Sequence, residues 1–364
     1  MKKFIKINDA NTIKKTKISI NKVLTHGNFI LGPEITKLEN ELSLFTGSKY
    51  CVSVSSGTDA LLIALMALDI KSGDEVITSP FSWISTIEVI SLLGAKPIFA
   101  DINSRTFNID TENVEKVITK RTKAIISVSI FGQCSDMDEI NRIAKIYNLP
   151  VIEDGAQSFG AKYKNRNSCN LSTIGCTSFF PTKPLGCFGD AGACFTNSKI
   201  VYEKMLSIRN HGQKNTRYNY KYIGVNGRMD TIQAAVLIEK LKLFNKCIEK
   251  RNKVASYYNH LLSQHEFIEI PYISEYNKSV FAQYTIKTKY RDKIRKSLNN
   301  LNIPTFLFYP KPLYKVNYLE TKHQKLVNVE KVCKKVLSLP MNEFLSKSQQ
   351  EYISDKLITI CKRL

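Results

Sequence analysis

The sequence predicts an α/β fold, with a mainly parallel sheet covered by helices on both faces and a smaller α+β region after it. Two observations carry this. Between about residues 50 and 195, short β-branched runs alternate with segments of helical periodicity, as in successive βαβ units. After GACFTN (192–197) that alternation ends, and strand-like and helix-like segments mix toward the C terminus.

Taken in order, KYCVSV (49–54) reads as a strand and TDALLIALMAL (58–68) as a helix. DEVITS (74–79) is a strand followed by a helix through 83–93, and KPIFADI (96–102) is another strand. KAIISVSI (123–130) is a strand, DMDEINRIAKIYN (136–148) a helix, and LPVIED (149–154) and TIGCTSFF (173–180) are strands. Residues 200–262 read as helical, with TIQAAVLIEKLKLFNK inside a long connecting helix. Beyond about 263, AQYTIKT (282–288) is a strand and RDKIRKSLNNL (291–301) a helix. The expected division is a large α/β domain over 1–240, with an N-terminal arm at 1–25, and a small α+β domain over 241–364.

The chain of 364 residues, 43% hydrophobic and 23% charged, has the balance of a globular protein with a sizeable core. No apolar run reaches the roughly 18–20 residues of a membrane span, and the first residues lack a signal peptide's apolar stretch. A cytoplasmic protein without membrane partners is expected. The nine cysteines form no C-x-x-C pair and read as buried free thiols rather than zinc ligands. The net charge of +21 comes from lysines spread along the whole chain, with no nucleic-acid-binding motif beside them. It suits anionic small molecules better than nucleic acid.

Ligands of parallel sheets sit beyond the carboxyl ends of the strands, so the residues following each strand matter most. After the first strand comes Ser55-Ser56-Gly57-Thr58-Asp59-Ala60, where free N–H groups at a helix start suit a phosphate. Alone, the same residues serve equally as a helix cap. After LPVIED, Asp154 occupies a dry central place and needs a positive partner, such as a protonated pyridine nitrogen, a cap or an internal salt bridge. Gln157 follows within reach of the same ligand. After TIGCTSFF, Lys183 stands among Pro and Gly, where burial lowers the pKa of an amine and favours a Schiff base. By itself it also reads as a surface lysine. Ser178 is placed to share the phosphate, and Trp83, the only tryptophan, either stacks on a ring or packs in the core. Phosphate loop, then acid, then lysine is the order that a pyridoxal-phosphate (PLP) site requires.

The stretches GNFILGPEITKLENEL, SSGTDAL, GDEVITSPFSWISTIEVISLLGAKPIFADI, FGQCSDMDEI, VIEDGAQSFGA, SFFPTKPLGCFGDAGA and RNHG resemble the DegT/DnrJ/EryC1/StrS sugar aminotransferases over nearly the whole chain. The resemblance implies the type I, aspartate-aminotransferase fold with a seven-stranded, mainly parallel sheet. It implies PLP as cofactor, glutamate as amino donor and a homodimer with a shared active site. The implied acceptor is a nucleotide-linked keto sugar, chiefly C3 of a UDP-3-keto-N-acetylglucosaminuronic acid, for surface-polysaccharide synthesis. Alternatives are another UDP- or dTDP-linked 3-keto or 4-keto-6-deoxy sugar, or a PLP-binding regulator of a sugar pathway. By position, Lys183 is the Schiff-base lysine, Asp154 the pyridinium partner, Gln157 the contact to the ring oxygen and Trp83 the stacking residue. Gly57, Thr58 and Ser178 hold the phosphate, and Arg228 reaches the neighbouring subunit's cofactor. Asn28, Phe29, Ile30, His211, Tyr309, Lys311 and Tyr314 are the implied sugar and nucleotide contacts. One departure stands out: Phe308 and Val316 replace the family's usual His and Gln in H-Y-P-x-P-L-x-x-Q, so the sugar contacts differ.

Overall fold

The computed structural model describes residues 4, 8–214, 216, 218–319 and 326–364. Its centre is a sheet whose strands are β1 (Tyr50–Val54), β2 (Glu75–Thr78), β3 (Lys96–Phe99), β4 (Thr122–Val128), β5 (Val151–Asp154), β8 (Ile174–Ser178) and β9 (Gly192–Thr196). Two short hairpin strands, β6 (Lys162–Tyr163) and β7 (Arg166–Asn167), join β10 (Asn277–Lys278) in a separate sheet. The spatial order of the large sheet is β1-β9-β8-β5-β4-β2-β3. Strand β9 alone runs against the others, pairing antiparallel with both β1 and β8. The remaining pairs are parallel. Both faces of the sheet are covered, which is why its strands read as near-continuous apolar runs.

The helices between these strands are α3 (Gly57–Ala67), α4 (Ser85–Leu92), α5 (Thr111–Lys116), α6 (Met137–Ile146) and α7 (Lys199–Arg209), with α1 (Ala10–His26) and α2 (Pro33–Thr46) ahead of them. Helix α3 is apolar nearly all round and buried; α6 carries a clean apolar stripe through Met137, Ile140, Ile143 and Ala144. Such parallel wiring places the ends of β1, β2, β4, β5 and β8 along one edge of the sheet. No helix among the described residues is long and apolar enough to cross a membrane. Eight of the cysteines are buried and Cys247 is half-buried.

The expectation of helix throughout 200–262 is corrected. Helix α7 stops at Arg209 and α8 (Thr231–Leu262) begins only at Thr231. The intervening chain is glycine-punctuated: Gly212 has a left-handed backbone (φ 75°), and a Cβ there would sit 1.7 Å from the Tyr222 carbonyl oxygen. Helix α8 is one unbroken rod of 32 residues, about 48 Å long, so the expected boundary at 240/241 falls inside it.

C-terminal to α8 lie β11 (Tyr284–Lys287), α9 (Arg291–Asn300), α10 (Val327–Lys335), β12 (Val336–Leu339) and α11 (Lys347–Lys362). Strands β11 and β12 pair antiparallel. Their core, with Tyr258, Tyr284, Ile294, Leu298 and Leu357, is separate from the two clusters flanking the large sheet. Leu313, Tyr314, Val329, Val332 and Cys333 do not join it and pack back on the large sheet's core.

Arg251, buried in α8, fastens the join. Its guanidinium donates to the carbonyls of Val280, Phe281 and Ala282 and, at 3.0 Å, to the Glu343 carboxylate. Removing one partner of such a buried pair leaves the other uncompensated. Arg251→Ala is therefore expected to cost about 3–5 kcal/mol in urea unfolding; a loss near that of an exposed arginine would show that the pin carries no weight.

Candidate active site

The carboxyl edge of the sheet collects the side chains singled out above. At the start of α3, the Ser56 hydroxyl accepts from the Asp59 N–H at 3.0 Å, and the Ser55 and Ser56 hydroxyls also meet the Asp59 carboxylate. Those two serines are therefore occupied as a cap. Gly57 and Thr58, the first residues of α3, are half-buried and turned toward neighbouring elements instead. A Cβ on Gly57 would lie 2.6 Å from Ser178 Cβ, so only glycine lets the helix start approach the end of β8. The Thr58 hydroxyl lies 2.8 Å from that of Ser85, the first residue of α4. Thr58, Ser85, Ser178 and the dipole end of α3 thus lie together, a grouping of donors that could hold an anion. Ser85 was not foreseen, because only the fold brings α4's first turn beside α3's.

Asp154 closes β5 and is buried. One carboxylate oxygen accepts from the Ala156 N–H at 3.1 Å, and the other has only a 3.5 Å contact from the Thr86 hydroxyl. Burial pushes its pKa up, against the Ala156 N–H and the Lys183 charge. Lys183, on the loop after β8, mirrors it: burial pushes the amine down, and Asp154 partly restores it. An under-paired buried acid within electrostatic reach of a desolvated amine has the chemistry to receive a cationic ring nitrogen and to offer a lysine for imine formation.

Gln157 is held by two contacts. Its Oε1 accepts from the Phe131 N–H at 2.9 Å, and its Nε2 donates to the Tyr309 hydroxyl at 3.1 Å. Trp83, on the loop after β2, is 61% exposed, with its indole tilted over Tyr309 at 6.3 Å between ring centroids. An indole left that open, with one face against Tyr309, has surface available to stack on a ligand.

Behind Asp154, sequence reasoning gave Glu153 no role. Strand alternation turns it to the opposite face, where it is fully buried. It accepts from the Ser168 hydroxyl at 2.7 Å and the Cys169 N–H at 2.9 Å. These bonds press the 168–169 turn against Gly155, whose absent Cβ would lie 2.5 Å from Cys169 Sγ. Glu153 therefore fixes the 168–169 turn behind the strand end that carries Asp154.

The remaining residues divide. Asn28, Phe29 and Ile30 are exposed beside the start of α8, where the Thr231 N–H donates to the Phe29 carbonyl. His211 is exposed with a left-handed backbone (φ 61°). Arg228 donates to Asn210 Oδ1 at 2.7 Å, while its Nε is buried without a partner among the described residues. None of these bonds to the Asp154–Lys183 group within the chain. Lys311 is exposed. Tyr314 is 3% exposed, packs edge-on against Phe99 and has its hydroxyl 3.0 Å from Glu330, on the core side of its segment. Val316 also packs into that core. Phe308 lines a cavity of about 290 Å³ that opens beside Lys183, between the lysine's loop and the C-terminal elements, with Lys240, Phe244, Phe306 and Met341 among its walls.

Fold and site together define an aminotransferase of the type I architecture that uses PLP. The chain belongs to the DegT/DnrJ/EryC1/StrS aminotransferase family, whose pattern matches residues 11–358. It is 49% identical over 347 residues, 95% of this chain and 96% of the other, to the UDP-2-acetamido-2-deoxy-3-oxo-D-glucuronate aminotransferase of Pseudomonas aeruginosa. Its structure superimposes on a DegT DnrJ EryC1 StrS aminotransferase from Brucella abortus with a TM-score of 0.93 at 35% identity, covering 97% of this chain and 98% of the other. It also superimposes on a Bacillus subtilis protein, ntda, solved with bound cofactor PMP, at a TM-score of 0.92 and 31% identity over 98% of this chain and 83% of the other.

Burial pushes the Glu153 carboxyl up to about 7, with Ser168 and the Cys169 N–H pulling the other way. The folded protein then keeps a proton that the unfolded chain releases near 4.5, so this group's contribution falls as pH rises from 4.5 to about 7 and then levels off. Glu153→Gln should remove that slope. Relative to wild type, its urea midpoint should improve between about pH 5 and about pH 8, by an amount worth roughly 2–3 kcal/mol. A pH-independent difference would contradict the assignment.

Proposed function

We propose that this chain transfers an amino group from glutamate to C3 of UDP-3-keto-N-acetylglucosaminuronic acid, in the cytoplasm, for surface-polysaccharide synthesis, as a homodimer with a shared active site. The observation that carries the reaction is the pairing of two desolvated groups, Asp154 and Lys183, on one sheet edge. The sugar rests on the 49% identity to the Pseudomonas aeruginosa protein, whose name states that substrate class. The lysine-rich wall of the cavity beside Lys183 suits acidic substrates.

When bound, PLP supplies an electron sink that stabilises negative charge on the carbon losing its proton. The chain's residues do the rest. The Lys183 amine, whose pKa burial lowers, would be the covalent attachment point, and its Nζ would take and return the substrate proton. Asp154 would hold the proton on the ring nitrogen. Gly57, Thr58, Ser85 and Ser178 would hold the phosphate, Gln157 would meet the ring oxygen and Trp83 would cover the ring. Arg228, with its Nε unpartnered, reaches the phosphate bound by the neighbouring subunit, next to the exposed Asn28–Ile30 and His211. Tyr309 lies closer to the ring bay than to the sugar. A different keto sugar is the second reading, favoured by Phe308 at the cavity wall where the family commonly has His.

Supplied with PLP, glutamate and a panel of keto sugars, the protein should form 2-oxoglutarate in proportion to aminated sugar, fastest with the UDP-3-keto uronate. Lys183→Ala should abolish both turnover and the visible absorbance of the loaded protein; an active yellow variant would sink the assignment. For the shared site, inactive Lys183→Ala and Arg228→Ala proteins are mixed and allowed to exchange subunits. Each mixed dimer then keeps one intact site, restoring about a quarter of wild-type activity; no recovery despite exchange would place Arg228 in its own subunit's site or outside any.

A further inference from the structure

Tyr309 belongs to the C-terminal part of the chain, yet it reaches the carboxyl edge of the large sheet. The Leu313 N–H donates to the Pro80 carbonyl at 2.8 Å and ties its segment to the Trp83 loop. Its ring is wedged edge-on against Phe81 at 5.8 Å and against Phe308 at 5.8 Å, with Trp83 above. The hydroxyl is thereby fixed beside Gln157.

The hydrogen-bond count at that point is informative. The Phe131 N–H occupies Gln157 Oε1, so the amide's orientation is set and its NH₂ must face the bay. One of its hydrogens goes to the Tyr309 oxygen. The second amide hydrogen has no acceptor among the described residues, and the Tyr309 hydroxyl, which accepts from Gln157, still has its own hydrogen to give. Two donors therefore converge where no protein acceptor is found. We propose that Tyr309 is a second hydrogen-bond donor to the cofactor's ring oxygen, acting together with Gln157. This rests on the reading that Gln157 faces that oxygen. Burial and the Asp154 charge keep the phenol protonated, so it remains a donor. The other titratable groups around the bay are Asp154 and Lys183, with Glu153 on the far side of the strand.

A donor on the ring oxygen draws negative charge away from the neighbouring imine proton, which is then released at lower pH. The test uses the cofactor-loaded protein and reads the pH midpoint of its visible absorbance band. The emission of Trp83, the only tryptophan, checks that the bay is intact. Tyr309→Phe keeps the ring and removes the donor; its midpoint should rise by about one pH unit. Tyr309→Gln, which retains a donor, should return toward the wild-type value. A Tyr309→Phe midpoint within about 0.2 units of wild type overturns the proposal. So does an equal rise in both variants, which would indicate packing, or a folded Tyr309→Phe that binds no cofactor, since one donor tunes the ring and does not retain it. Gln157→Leu separates the two readings. If it raises the midpoint and Tyr309→Phe does not, only the role of Tyr309 fails; if neither moves it, the placement of Gln157 fails as well.

Discussion

The structure depends on the desolvation of two opposite charges at one sheet edge. Asp154 and Lys183 are each pushed toward neutrality by burial and each pulled back by the other. Neither is satisfied: the acid has one good hydrogen bond and one long contact, and the amine has no ion pair with it. Such a pair is costly to keep unless a ligand completes it. The surrounding architecture holds the two groups in place. Glu153 grips the turn behind Asp154, Gly57 lets α3 close on Ser178, and the parallel strands bring both loops to the same edge.

Much of this was legible in the sequence because it depends on local pattern. Buried parallel strands betray themselves as β-branched runs, and the order of the three post-strand segments named the chemistry. The central strands and helices stand within a few residues of where periodicity put them. What escaped was non-local. Ser85 gains meaning only because α4 starts beside α3, and Tyr309 only because a distant segment folds onto the Trp83 loop. Glu153 was hidden by its neighbour, since one carboxylate in a strand end looks like the next until the pleat assigns them to opposite faces.

One expectation failed for an identifiable reason. Lysine-rich, aromatic-dotted sequence around 210–230 has no strong strand signal, so helical propensity on either side was carried across it. Gly212, Gly224 and Gly227 close-pack against backbone or side chains there and break the helix. Tyr314 shows what a motif leaves open: on the 3-10 turn Leu313–Lys315 its ring packs onto Phe99. Motif position specifies where a residue lies along the chain and not which way it points.

Helix α8 carries a mechanical implication. A rod with unbroken backbone hydrogen bonding offers no hinge, and Arg251 bolts it to the 280–282 strand entry and to Glu343. The C-terminal elements therefore cannot swing away by bending at that helix. The cavity beside Lys183 is walled by that rod, by the 181–185 loop and by Phe306 and Phe308. The loop that sets where the Lys183 amine lies therefore also shapes the cavity, so one segment controls both.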